Sequence, residues 1–231
     1  MNLPLPPALA DALARVAPHY PTRGERLADA WVHGVGIAFA AIGGLVLLGL
    51  SIFGRLGVAA TVAVSVYAGC LLAMLIGSAL YNFAKGERQQ LFRRFDHAGI
   101  FLMIAGTYTP FTTLVLHGGW SIGMTTAVWT LAAAGALGKL FLPGLGKKLW
   151  VALYVALGWL IVIAIRPLAD GVSLAALVLI AVGGLVYSTG VLVYLKKTLR
   201  FRRAVWHGFV VAAAAVHYAA VMTAVVFAPA S

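Results

Sequence analysis

Acidic residues are almost missing from this 231-residue chain: Asp and Glu total 6, and the four charged residue types together make up only 10%. An ordinary soluble domain carries about 25% charged residues, so this chain has too little polar surface to cover a water-soluble globule. That excludes a soluble enzyme, and the apolar excess also excludes a disordered chain. Cysteine is nearly absent as well. The single Cys70 lies inside an apolar run, which leaves neither a disulfide framework nor a thiolate zinc site. The short alternating segments of a membrane β-barrel are missing too. These absences leave a polytopic helical membrane protein.

What is present is apolar length. Hydrophobic residues make up 62% of the chain. A helix crosses the hydrocarbon core with about 20 such residues. Seven stretches qualify: Trp31–Phe53, Val58–Tyr81, His97–Leu116, Ser121–Phe141, Leu149–Ile165, Ser173–Leu195 and Ala204–Phe227. Between them lie short breaks such as Gly54–Gly57, the polar run Lys85–Asp96 and Pro143–Lys148. Loops this short join antiparallel neighbours. The expected fold is an all-α integral membrane protein, a seven-transmembrane-helix bundle spanning residues 23–231. Residues 1–22 form a cytoplasmic N-terminal segment, in which Pro6 to Ala17 reads as an interfacial amphipathic helix rather than a signal peptide.

The basic residues give the orientation. Of 17 Lys and Arg, only Arg55 and Arg166 fall on one side of this seven-span arrangement. The positive-inside rule then places the N-terminus in the cytoplasm, and a multi-pass protein of the inner (cytoplasmic) membrane follows. The same bias accounts for the net charge of +11, so no nucleic-acid partner is implied; the expected partners are membrane lipids.

Ionisable groups inside spans are costly and are candidates for function. Here they gather. His33 lies near the start of span one, Ser78 and Asn82 close span two, Asp96 and His97 open span three, and Arg203 and His207 open span seven. All these ends share one side of the membrane. Ser78 and Asn82 are four residues apart, as are Arg203 and His207, so each pair shares a helix face. Taken singly, Ser78 would bond its own helix, Asp96 would cap span three and Arg203 would face lipid phosphate. His217 lies about 15 Å deeper and reads as an imidazole bonded to a neighbouring carbonyl. The pairs Gly43-Gly44 and Gly183-Gly184 and the run Ala132–Ala134 read as close helix packing.

Several runs resemble the hemolysin III family, which groups with the progestin and adipoQ receptors. They are Gly24–Gly36, Ser78-Ala79-Leu80-Tyr81-Asn82, Phe95–Ile100, Ile104–Phe111, Gly183–Gly190 and Trp206-His207 with His217-Tyr218. The resemblance is colinear from about residue 24 to 221. It implies a seven-helix fold with zinc held by three histidines, one closing span two and two opening span seven, beside a serine and an aspartate. Ser78 and Asp96 stand at those last two positions as implied catalytic residues, and His207 is the one retained metal ligand. Asn82 and Arg203 occupy the other two ligand positions. An amide is a poor zinc ligand and a guanidinium is none. The expectation is therefore a degenerate-site member without zinc, acting in membrane homeostasis or lipid sensing, with Arg203 paired to Asp96 in the metal's place. Zinc returns only if other ligands, such as His33 and His97 with His207, complete a site. The alternative is then a metal-dependent hydrolase of a lipid amide or ester. A transporter is disfavoured because spans four to six hold almost no ionisable residue.

Overall fold

The structure is a computed structural model that describes residues 19–142, 146–196 and 198–227. The expected interfacial helix at residues 6–17 lies outside the described residues. Helix α1 (Arg23–Phe53) starts at an N-cap, where Thr22 accepts a 3.2 Å bond from the Glu25 backbone N–H. Helix α2 (Val58–Phe83) follows a turn in which Arg55 and Gly57 both take positive φ. Helix α3 (Glu87–Leu114) begins after Gly86, also at positive φ, and α4 (Gly118–Phe141) follows a tight turn. Helix α5 (Lys147–Gly158) passes through a tighter turn at Leu160–Ala164 into the short α6 (Ile165–Gly171). Together they form one rod, Lys147–Gly171. Helix α7 (Leu174–Leu195) is capped by Ser173, and α8 (Arg202–Val221) runs on through a wider turn at Met222–Val226.

Six of these elements are long and apolar enough to cross a membrane: α1, α2, α4, the α5–α6 rod, α7 and α8 with its continuation. The expected third span, His97–Leu116, lies in α3, which is not apolar enough. Gly99, Gly106, Thr107, Tyr108, Thr109, Pro110, Thr112 and Thr113 dilute the apolar residues of that stretch. The expected polar loop Lys85–Asp96 is helical from Glu87 onward, because Arg, Gln and Glu are good helix formers and no breaker follows Gly86. Its charges join the apolar part in one helix. Further along, Thr107, Thr109 and Thr113 return their hydroxyls to carbonyls one turn back at 2.7–2.9 Å, so α3 carries polar atoms that need no water. Asp96 therefore lies well inside α3 and caps nothing. The expected loop after Ile165 is also helical, with Pro167 tolerated in the first turn of α6.

The helices pack as a ring in chain order, closed by α8 against α1. Small residues set the close contacts. A Cβ on Gly106 of α3 would lie 2.6 Å from the Cys70 Cβ of α2, and one on Gly183 of α7 would lie 2.6 Å from the His217 ring of α8. Gly44 meets Ala68, and Ala132 is fully buried. The α5–α6 rod stands apart and touches α3, α4 and α7 only lightly. Its break is stapled by Tyr108 of α3, which faces the Leu157 and Gly158 carbonyls at 3.0 and 2.8 Å and accepts from Ile161 N–H at 2.8 Å. Behind the rod lies a cavity of about 790 Å³.

Candidate functional site

The cavity is apolar along most of its length. Met103, Ile104, Trp150, Leu177 and Val210 are among its walls. One end is polar: His33, Ser78, Asn82, Asp96, His97, Arg203 and His207 all line it. Ends of α1, α2 and α8 and the first third of α3 thus meet in one place.

The hydrogen bonds start from Asp29, whose side chain is completely buried in the first third of α1. Its Oδ1 accepts from His207 Nδ1 at 2.6 Å, and its Oδ2 accepts from the Tyr20 hydroxyl. Its backbone carbonyl lies 2.8 Å from His33 Nδ1, one turn on. A carbonyl only accepts, so His33 Nδ1 carries a proton and, in the neutral ring, Nε2 is an acceptor. That Nε2 is 3.3 Å from Ser78 Oγ, and His207 Nε2 is 3.5 Å from the same atom. Two imidazoles therefore converge on one hydroxyl, with ring centroids 4.3 Å apart. Ser78 is turned toward them rather than toward its own helix. Asn82 donates to the Ser78 carbonyl at 2.9 Å and lies 3.4 Å from its Oγ.

Residues 19–22, just before α1, lie over this cluster. His19 Nε2 donates to Asn82 Oδ1 at 2.9 Å, and Arg203 Nε donates to the His19 carbonyl at 3.1 Å. Burial holds the His19 imidazole below its usual range, against the opposing pull of the Asn82 bond. Burial and the Asp29 carboxylate push the Tyr20 hydroxyl well above its usual range, so it stays a donor.

Two placements differ from the reading of the sequence. Arg203 makes no ion pair with Asp96; its guanidinium bonds to His19, which lies between Asn82 of α2 and Arg203 of α8. Asp96 instead faces the Ser78 hydroxyl, with His97 Nε2 4.0 Å away. His97 lines the cavity but turns toward Tyr81, away from the two other histidines, while its carbonyl accepts from Tyr154 at 2.9 Å. His217 stacks on Tyr187 at 5.6 Å, and its ring bonds the backbone of Ile180 on the neighbouring α7, as expected, and of Ala213 on its own helix.

Sequence reasoning missed Asp29 and the pair His19 and Tyr20. Ligand atoms of Asp29, His33 and His207 lie within 4.8 Å of one another, close enough to hold a metal ion. Two imidazoles and a carboxylate are donors that suit zinc. The set implied by resemblance does not: Asn82 offers only an amide and Arg203 no lone pair at all.

Comparison with known proteins decides the family. The model for "Haemolysin-III related" proteins matches residues 24–218. The chain belongs to the hemolysin III-related family. It is 34% identical over 201 residues to "Hemolysin-3" of Bacillus cereus, covering 86% of this chain and 90% of the relative. The "Hemolysin-3 homolog" of Bacillus subtilis (strain 168) is 31% identical, covering 86% and 93%. The human "Monocyte to macrophage differentiation factor" is 28% identical over 209 residues, covering 87% and 84%, which ties the chain to the progestin and adipoQ receptor relatives. This hemolysin III-related chain is thus a multi-pass membrane protein, and its apolar flanks meet membrane lipid.

Proposed function

We propose that this protein binds a single anionic lipid in the cavity behind the α5–α6 rod and acts in membrane homeostasis or lipid sensing. The cavity carries this reading. Its volume of about 790 Å³ falls in the range of about 300–1,000 Å³ that holds small ligands. Its apolar length suits an acyl chain. Its polar end is rimmed by cations: Arg93, Lys139, Lys147, Arg202 and Arg203 line it against the lone carboxylate of Asp96. A phosphate headgroup matches that charge. In this reading α3 is the seventh crossing, the polar end opens to the cytoplasmic leaflet, the N-terminus is cytoplasmic, and the host is the inner membrane.

The test is thermal stability of the purified protein with added lysophosphatidylglycerol and, separately, lysophosphatidylcholine. Anionic lipid is expected to raise Tm and the zwitterionic lipid to do so much less, with the difference reduced in Arg203→Gln. Equal shifts with both lipids, or none with either, overturn the reading.

A second reading rests on Asp29, His33 and His207. These residues would hold a divalent cation, and zinc held there supplies Lewis-acid chemistry suited to hydrolysis of a lipid amide or ester. It ranks second because both Asp29 oxygens are already bonded, to Tyr20 and His207, and a metal must displace one of them. Elemental analysis of protein purified without added metal decides it: near-stoichiometric zinc, lost in His207→Ala, supports the metal, and its absence rejects it.

A further inference from the structure

We propose that Ser78, His207 and Asp29 form a metal-independent relay that cleaves an ester-linked acyl chain from the lipid held in the cavity. The substrate rests on the lipid-binding reading above; the relay rests on its own geometry. Asp29 Oδ1 takes the proton side of His207 Nδ1 at 2.6 Å, which leaves the Nε2 lone pair facing Ser78 Oγ at 3.5 Å. A carboxylate behind one imidazole nitrogen and a hydroxyl before the other is the order of a nucleophilic triad. The separation of 3.5 Å is loose, as such contacts are before substrate tightens them.

Exposure sorts the three residues by role. Ser78 and His207 line the cavity, whereas Asp29 does not and has no accessible surface. Asp29 is therefore a positioning residue that fixes the tautomer of His207, and its second oxygen is held by Tyr20. His33 also points Nε2 at Ser78, at 3.3 Å, but a neutral backbone carbonyl backs its other nitrogen. A carbonyl stabilises an imidazolium less than a carboxylate does, so of the two imidazoles that face Ser78, His207 is the base. Asn82 Nδ2, 3.4 Å from Ser78 Oγ, is a donor beside the place where the carbonyl oxygen gains charge. The residue that replaces a histidine thus has a part in a different chemistry.

The step balances without metal or redox partner. Ser78 Oγ forms a bond to the acyl carbon as its proton passes to His207 Nε2. The ester C–O bond breaks, and the departing alkoxide takes that proton to leave as the alcohol. Water then attacks the acyl-serine and gives a proton to His207. The Ser78 C–O bond breaks, Oγ regains that proton, and a fatty acid leaves. Ester and water become acid and alcohol.

The test treats the full chain, purified in detergent with chelator present, with a fluorophosphonate probe. One adduct is expected, mapped to Ser78 by peptide mass. Asp29→Asn and His207→Gln are expected to slow labelling by about a hundredfold or more, the size of a lost general base. Asp29→Glu is expected to recover labelling, which a merely structural loss would not predict. Where Ser78→Ala fails to fold, Ser78→Cys keeps the size and a nucleophile, and its alkylation should depend on His207 in the same way. No adduct, an adduct elsewhere, or labelling abolished by chelator and restored by zinc overturns the relay. Slowing by His33→Gln, or by Asp96→Asn at the carboxyl that also faces Ser78, equal to that by His207→Gln overturns the choice of base. A lysophosphatidylglycerol-induced Tm shift with no labelling ends the relay and leaves lipid binding standing. Labelling without a lipid shift does the reverse.

Discussion

His19 is gripped by Asn82 and Arg203, the two residues that stand where the family resemblance implies metal-ligating histidines. Those positions hold His19, just before α1, instead. This gives the region a pH response whose sign follows from burial. Desolvation lowers the His19 pKa, the charges of Arg203 and His207 act in the same direction, and the Asn82 bond and Asp29 oppose them. The unfolded chain, with a pKa of about 6.5, therefore binds more protons than the folded one just below that pH. The stability that neutral His19 contributes is complete above about pH 6.5 and is lost as pH falls through the lowered folded value. Wild type should exceed His19→Gln in Tm near neutrality, and that margin should shrink on acidification; a margin that does not change with pH contradicts the argument. Asp29 shows why part of this site is illegible in sequence. Hydropathy begins at Trp31, so the carboxylate two residues earlier reads as lying outside the span. The available signal was its i, i+4 spacing to His33, which places both on one face once the helix is known to start at Arg23.

At the scale of elements, the weakly packed α5–α6 rod determines where the cavity lies. A helix interrupted within a membrane leaves backbone groups that only protein can satisfy. Tyr108 supplies both needs at the break, accepting from Ile161 N–H and donating to a carbonyl at Leu157 or Gly158. Trp159 adds a second tie, its Nε1 donating to Ser188 of α7 at 3.0 Å. Tyr108→Phe leaves the ring in place and removes the hydroxyl, so a buried N–H and a carbonyl lose their partner. The expected cost is about 1–3 kcal/mol, read as a lower Tm in detergent, with faster hydrogen exchange confined to the rod around residue 161. Exchange that rises equally in α2 would place the effect elsewhere. The rod was legible in sequence as Leu149–Ile165 because its apolar run is continuous. Its internal break was not, since Gly158-Trp159-Leu160 carries no proline and one glycine does not end a helix; the break depends on a tyrosine 50 residues earlier in the chain.

For the whole molecule, the question is whether α3 crosses the membrane. Among the described residues six elements are long and apolar enough to cross, and α3 falls short on hydropathy. The ring nevertheless places α3 between α2 and α4, with Phe101, Ala105, Tyr108 and Phe111 buried. Hydropathy measures compatibility with lipid, and a helix surrounded by other helices needs less of it. The charge count points the same way. With α3 crossing, only Arg55 and Arg166 of the 17 basic residues lie on the far side. Without it, the basic run Lys196–Arg203 would move to the side opposite Lys85–Arg94, against the positive-inside rule. A direct check uses Lys85→Cys and His117→Cys, which flank α3, each in a Cys70→Ser background. With an impermeant thiol reagent on intact cells, His117→Cys should label and Lys85→Cys should label only after permeabilisation. Labelling of both positions from one side would remove α3 from the membrane-crossing set and, with it, the placement of the polar end of the cavity at the cytoplasmic leaflet.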